Sequence, residues 1–348
     1  MLLILPCVGE SSRFPGTRPK WLLTQPNGNL MICEAIAKFN LTNIKKIVLI
    51  ALKDQVEGKI DLLKCFKRAG IQKPLEIFLL DRRTGSQPET ISSYLSILKE
   101  DTPFFVKDCD GQFECVPEPK NEIVTADISL IKGFNVASKS YCKFNENGNI
   151  TVVVEKQVIS KHFCVGGYSF VSSNQFLSSY SEIRHHQNLY VSHVIENMMI
   201  HSHLFNNKSC SLYEDWGTLE DWLTYKNTFT TFFIDIDGVL FKNSSEFMSP
   251  CWGEAKPLVD NVKYIKELRA AGRTQIVLTT ARTMDFSKQT EQQLKAAGIE
   301  YDKIVYGLQH SKRIIINDHS NTNPYPACEA HSVQRDEDNL RSLRIARL

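Results

Sequence analysis

The chain has 348 residues, 42% of them apolar and 23% charged, proportions that exclude a disordered, collagen-like or coiled-coil chain. Lysines and arginines outnumber acids by 41 to 39, a net charge of +2, without the clustered basic excess of a nucleic-acid footprint. At about 150 residues per domain the length predicts two domains. The opening MLLILPCVGESSRF has no basic leader region, so it reads as a buried strand entering a loop rather than a signal peptide. No window holds the ~18 apolar residues of a membrane span. Ten cysteines lie scattered without CxxC pairs, which predicts reduced thiols in a cytoplasmic protein.

Apolar strands are predicted at 2–5, 46–52, 75–80 and 104–107, with helical patterns between them at 30–38, 55–68 and 89–99. That alternation suits right-handed βαβ units and a parallel sheet, an α/β class. Between 121 and 170 the runs become shorter and β-rich, with a turn signal at Asn147-Gly148. Helical patterns return at 174–183 and 191–201. A new apolar strand, FFIDIDGVLF, begins at 232, followed by a helix at 259–271 and strands at 275–282 and 312–320. The predicted domains are therefore 1–227 and 228–348, the second smaller, with no Gly/Ser/Pro-rich linker between them.

The first strand runs into GESSRFPGTRPKW. Small residues after a strand let backbone N–H groups approach an anion. Ser11 and Ser12 add hydroxyls, and Arg13, Arg18 and Lys20 add positive charge suited to phosphate. The same composition also describes an ordinary polar loop. In KDCDG, Asp108 and Asp110 alternate and share one face of a strand end, where two carboxylates suit Mg²⁺ or lie solvated. Asp215, in YEDWGTLEDW, is a distant third carboxylate or a helix cap. Thr84 or Ser86 with Glu89 forms a capping-box-like helix start.

Taken together and in order, G-x-S-S-R-F…R-P-K, TGSQPET, KDCDG, VEK, VGGYSF and EDWGTLEDW resemble the motifs of sugar-phosphate nucleotidylyltransferases. The resemblance covers about residues 1–225. Ser11 stands where many members have Gly. It implies a Rossmann-like nucleotidyltransferase domain with a mixed sheet. There, an acceptor phosphate attacks the α-phosphorus of a nucleoside triphosphate and pyrophosphate leaves. It implies that Gly9, Ser11, Ser12 and Arg13 cradle the departing phosphates and that Lys20 reaches the α-phosphate. Asp110 and Asp215 would hold Mg²⁺, with Asp108 as a further ligand. Ser86 and Gln87 would read the base. Glu155, Lys156 and Gly167 would meet the acceptor. The compact loop looks most like capsular cytidylyltransferases, some of which act on polyol phosphates such as glucitol phosphate. CTP with a sugar or polyol phosphate is therefore expected, with UTP or dTTP and a hexose 1-phosphate as the alternative.

The second half resembles the haloacid dehalogenase (HAD) phosphohydrolases through D-I-D-G-V, a strand-end Thr and a later Asp. The resemblance implies Asp235 as nucleophile and Asp237 as general acid/base, both beside Mg²⁺. Thr279 or Thr280 would bind phosphate, Lys312 would balance charge and Asp318 would complete the metal site. A phosphatase active on a related phosphate, a phosphatase regulated by nucleotide binding at the first domain, and a non-catalytic assembly module all remain open. Small-molecule partners are expected, with neither nucleic acid nor membrane. The basic C-terminal RSLRIARL reads as a solvated face or a homo-oligomer contact.

Overall fold

The structure is a computed structural model and describes residues 1–130, 139–321, 323–343 and 345. The chain divides into two compact units, Met1–Trp222 and Leu223–Leu348. The boundary drawn at 227/228 falls at the end of the helix Leu219–Asn227, inside which the units divide.

The first unit follows the order β1 (Leu2–Pro6), α1 (Met31–Glu34), β2 (Lys46–Leu52), α2 (Lys53–Val56), α3 (Leu62–Arg68), β3 (Leu75–Leu80), α4 (Gln87–Leu95), β4 (Phe104–Lys107), β5 (Gly111–Phe113) and β6 (Glu122–Asp127). It continues through β7 (Ser140–Phe144), β8 (Ile150–Glu155), β9 (His162–Phe170), α5 (Ser173–Ile183), α6 (Val191–Ile200), β10 (Asn206–Ser209), β11 (Tyr213–Asp215) and α7 (Leu219–Asn227). The main path of the sheet runs β10-β6-β9-β4-β1-β2-β3, with β7 and β8 attached to β9. β1 pairs in parallel with both β2 and β4, while β9 is antiparallel to β4 and β6. The first unit is therefore mixed α/β.

β1 is apolar throughout, and its neighbours β2 and β4 are apolar apart from Lys46 and Lys107 at their ends, because both faces are covered. Leu3, Leu5, Ile47, Leu49 and Phe105 enter one core, and Leu2, Ile4, Val48, Ile50 and Phe104 enter the other. The chain leaves β1 toward β2 on one side and returns as β4 on the other. In open α/β sheets, ligand crevices form at such reversals, outside the carboxyl ends of the strands. The loop after β1 and the loop after β4 meet there.

Three predicted helices are shorter than their patterns, and the one at 89–99 ends at Leu95. The pattern at 30–38 continues past Glu34 as turns, and Asn40 N–H leaves to donate to Cys115 O at 2.9 Å. The pattern at 55–68 is broken where Gly58 adopts φ +68° between α2 and α3.

The second unit contains β12 (Thr230–Asp235), α8 (Val259–Ala270), β13 (Thr274–Thr279), α9 (Ser287–Ala297) and β14 (Lys303–Val305). Its sheet is parallel, in the order β12-β13-β14. The strand predicted at 312–320 does not form. Lys312–Ser320 is exposed and pairs with no strand among the described residues, with Ile314 at 74% and Ile316 at 91% exposure. A short apolar run sets no register by itself, and here Arg313 anchors the segment through its charge instead.

Candidate functional site

The loop after β1 is built around Ser11, which holds φ +55°, the left-handed conformation that Gly adopts without cost. Ser11 thus takes a backbone shape that favours Gly. Its carbonyl accepts from Phe14 N–H at 2.8 Å, and its hydroxyl accepts from Lys20 N–H at 3.1 Å. The hydroxyl therefore closes the loop and aims Lys20. A β-carbon at Gly9 would meet nothing within 4 Å. Ser12, Arg13 and Arg18 are exposed.

Lys107 shapes the facing loop. It is buried, and its ammonium donates to Asp108 O at 2.6 Å and Gly111 O at 2.8 Å. Burial lowers its pKa, against the pull of Asp108 and Asp110. The turn it closes presents Asp108 and Asp110.

Asp110 Oδ2 lies 2.5 Å from Lys20 Nζ and 3.6 Å from an Arg13 guanidinium nitrogen. Burial alone would raise the Asp110 carboxyl. The charges of Lys20 and Lys139, with Arg13 behind them, outweigh it and hold the group well below the usual carboxylate range. Burial opposes the charge of Lys20 in turn, yet Asp110 raises its pKa above that of an ordinary lysine.

β11 pairs antiparallel with β5 and sets Asp215 opposite Gly111. Asp215 Oδ2 takes Lys139 Nζ at 2.7 Å, and Oδ1 accepts from Gly217 N–H at 3.1 Å and Tyr213 O–H at 3.2 Å. A β-carbon at Gly217 would lie 3.1 Å from Asp215 Oδ1, 3.5 Å from Arg13 and 3.6 Å from Asp110 Oδ2. Four predicted residues from three separate segments, Arg13, Lys20, Asp110 and Asp215, therefore converge.

Asp108 faces another way. Its Oδ1 accepts from Gln87 Nε2 at 2.5 Å, and burial followed by the charge of Asp110 raises its pKa. A β-carbon at Gly166, where φ is +77°, would stand 2.5 Å from Asp108 Oδ2. Gly166, rather than Gly167, is the glycine that opens space beside a site carboxylate. At Gly167 a β-carbon would meet Phe113 Cζ at 2.6 Å and Val124 at 3.0 Å. The β-carbon direction at Gly167 is thus filled by core side chains, whereas that at Gly166 points to Asp108.

Ser86 is the N-cap of α4 and accepts from Glu89 N–H at 3.2 Å. Beside it is a cavity of about 340 Å³ bordered by Ser86, Glu89, Tyr180, Arg184, His186 and Asn188. Glu155 accepts from Ser140 and Ser192, tying β8 to the start of α6. Lys156 reaches Tyr190 OH at 2.5 Å.

Two carboxylates on neighbouring segments fit Mg²⁺ in donor kind, because that ion takes one or two carboxylates and fills its other positions with water and phosphate. Among the described residues no group of three or more His, Cys, Asp or Glu converges at metal-holding geometry. Asp110 and Asp215 are instead neutralised by lysines.

In the second unit Asp235 ends β12 directly opposite Thr279 of β13. Burial raises its pKa and Arg313, 3.0 Å away, opposes that. Arg313, not Lys312, is thus the cation at Asp235; Lys312 is exposed. Asp318 lies in the unpaired exposed stretch rather than at a strand end, so the metal site expected to include it is not assembled by a strand. Asp237 is gripped by Arg282, Nε to Oδ2 and a terminal nitrogen to Oδ1, both 2.8 Å, and also accepts from Ser244 at 2.6 Å. The Arg282 side chain is 0% exposed and also donates to Thr290 and Gln293. Thr280 is buried, and its hydroxyl accepts from Arg282 N–H at 3.0 Å.

No protein-family model matches the chain. No curated protein matches it. Solved structures do. One is a nucleoside-diphosphate-sugar pyrophosphorylase from Vibrio cholerae RC9, at TM-score 0.53 and 17% identity, covering 65% of this chain and 99% of that one. Another is the inositol-1-phosphate CTP transferase from T. maritima, at TM-score 0.51 and 13% identity, covering 63% and 90%. Over about two thirds of its length the chain shares the mixed α/β fold of these two proteins. Among the described residues no helix is long and apolar enough to cross a membrane.

Proposed function

We propose that the first unit is a nucleotidyltransferase that joins a nucleoside triphosphate to a phosphorylated sugar or polyol and releases pyrophosphate. The observation that carries this reading is the meeting of Arg13, Lys20, Asp110 and Asp215 around Gly217 at the carboxyl ends of β1 and β4. Phosphoryl-group chemistry of this kind asks for positioning and charge neutralisation rather than covalent help. The loop from Gly9 to Arg13 receives the departing phosphates, and Lys20 stabilises charge at the α-phosphate. Asp110 and Asp215 would hold Mg²⁺, which would supply further neutralisation of phosphate charge.

CTP is the proposed donor, supported by the compact loop and by the CTP transferase among the structural neighbours. The cavity beside Ser86 suits the base of the nucleotide, the role the motif resemblance implies for Ser86 and Gln87, because Arg184, His186 and Asn188 line it with polar groups. Tyr190, whose hydroxyl accepts from Lys156 at 2.5 Å, follows Leu189 of that lining in the chain. Purified protein with Mg²⁺ is screened for pyrophosphate release with each nucleoside triphosphate against sugar and polyol phosphates. CTP with a polyol phosphate is expected to give the highest rate. Release with UTP or dTTP and a hexose 1-phosphate instead selects the other donor, and no release with any pair sinks the reading.

For the second unit, the grip of Arg282 on both Asp237 oxygens favours a non-hydrolytic module over a phosphatase. A general acid must reach the leaving group, and both Asp237 oxygens are instead engaged by the Arg282 guanidinium. Phosphate release from an aryl phosphate is expected to be equal in the wild type and Asp235→Asn. Release that depends on Asp235 restores the phosphatase reading.

A further inference from the structure

We propose that Lys139 carries the reacting phosphate of the acceptor, and that it reaches that phosphate by leaving Asp215 when a divalent cation takes its place there. This rests on the nucleotidyltransfer reading of the first unit and extends it to a residue outside the motifs that suggested it.

Three observations carry the assignment. The Lys139 ammonium lies 2.7 Å from Asp215 Oδ2 and 2.8 Å from the Tyr213 hydroxyl, with its side chain 15% exposed. Asp215 and Asp110 both border Gly217, so Lys139 and Lys20 serve adjacent carboxylates. Lys156, which the motif would assign to the acceptor, is directed to Tyr190, with its ammonium 4.6 Å from that ring's centre. The two lysines are nevertheless backbone neighbours across the β7–β8 hairpin, since Lys156 N–H donates to Lys139 O at 3.0 Å. The hairpin delivers Lys139, not Lys156, to the carboxylates.

The chemistry explains why that position matters. The attacking oxygen must come within about 3–3.5 Å of the α-phosphorus. Lys20 and Asp110 mark the α-phosphate end, so a cation serving the nucleophile has to stand beside them. An ammonium is a compact point charge on a flexible stem, able to pass from one anion to the next by changing rotamer. The ammonium and a divalent cation would compete for the same Asp215 carboxyl oxygen. The acceptor oxygen bonds to the α-phosphorus as the bond to the pyrophosphate oxygen breaks. No proton need come from Lys139, because a phosphate monoester with a second pKa near 6 is already largely a dianion at pH 7.

The test uses the full chain as wild type, Lys139→Met and Lys139→Arg. It reads Mn²⁺ affinity by electron paramagnetic resonance, and the affinity of the Mn²⁺-loaded protein for inorganic phosphate and for CTP by calorimetry. Lys139→Met is expected to bind Mn²⁺ about three- to tenfold more tightly, since a competing charge is gone. Its phosphate affinity is expected to fall about tenfold or more while CTP affinity changes less than about twofold. Lys139→Arg keeps the charge and retains phosphate binding within about threefold. Unchanged Mn²⁺ affinity, or wild-type phosphate binding in Lys139→Met, overturns the proposal. So does a phosphate loss confined to Lys156→Ala, which assigns the role to that lysine. If Lys139→Met does not fold, Lys139→Gln enters the same comparison. The reaction itself is judged separately by pyrophosphate release: these binding shifts in a protein that releases none keep Lys139 as a phosphate ligand and sink the transfer reading.

Discussion

Lys20→Ala is expected to lower the rate of pyrophosphate release by about 10²–10³-fold, the usual cost of removing one preorganised group aimed at developing charge. Lys20 is held at both ends. Its backbone N–H donates to the Ser11 hydroxyl at 3.1 Å, and its ammonium lies 2.5 Å from Asp110 Oδ2. Little reorganisation is needed when the α-phosphate arrives, because the ammonium is already fixed in place by these two contacts. Removal also strips Asp110 of the partner that does most to offset its burial, so the Asp110 pKa rises in the variant. Lys20→Arg restores only part of the rate, because a planar fork does not reproduce a point charge at this distance. Steady-state pyrophosphate release at saturating nucleotide checks the prediction, with circular dichroism melting to show that the fold persists. A rate within about threefold of wild type would mean that the α-phosphate is held elsewhere.

The second large effect is on stability. Arg282→Ala is expected to destabilise the second unit by about 3–5 kcal/mol, the cost of leaving a buried ion-pair partner uncompensated. The guanidinium is fully buried and donates to Asp237, Thr290 and Gln293, while Gln293 donates in turn to Ala255 O at 2.7 Å. One side chain thus ties the turn after β12 to α9 and to the segment before α8. Truncation strands several polar atoms in addition to a charge. Denaturant unfolding, followed by a probe in the second unit such as Trp252 fluorescence, measures the loss. The double variant Arg282→Ala with Asp237→Ala is expected to recover part of it, because no unpaired carboxylate remains. A loss below about 1 kcal/mol in the single variant would show that Asp237 finds another counter-ion.

The strands of the first unit were readable because β1, β2 and β4 are buried on both faces, while the half-buried β3 still carries an almost wholly apolar run. The helical pattern at 30–38 was less so. Its apolar spacing is satisfied equally by the turns that carry Phe39 into the core against Phe105 and Phe113. The run at 312–320 misled for the opposite reason. Apolar character favours a strand, but only a paired edge makes one, and Arg313 is drawn to Asp235 at 3.0 Å instead.

For the site, the sequence by itself determined the residue types and their local supports. Ser86 caps α4, Asp108 and Asp110 follow an apolar strand, and basic residues follow β1. These are short-range facts, written in neighbouring residues. Only the tertiary structure decided which charges meet. Lys139 has no motif and becomes visible through Asp215, and Arg282 through Asp237, 45 positions away. Gly166 and Gly167 are indistinguishable as letters, yet one faces Asp108 and the other Phe113. The reason is geometric: successive residues of a strand point to opposite faces, and which face holds the carboxylates depends on pairing between strands far apart in the chain.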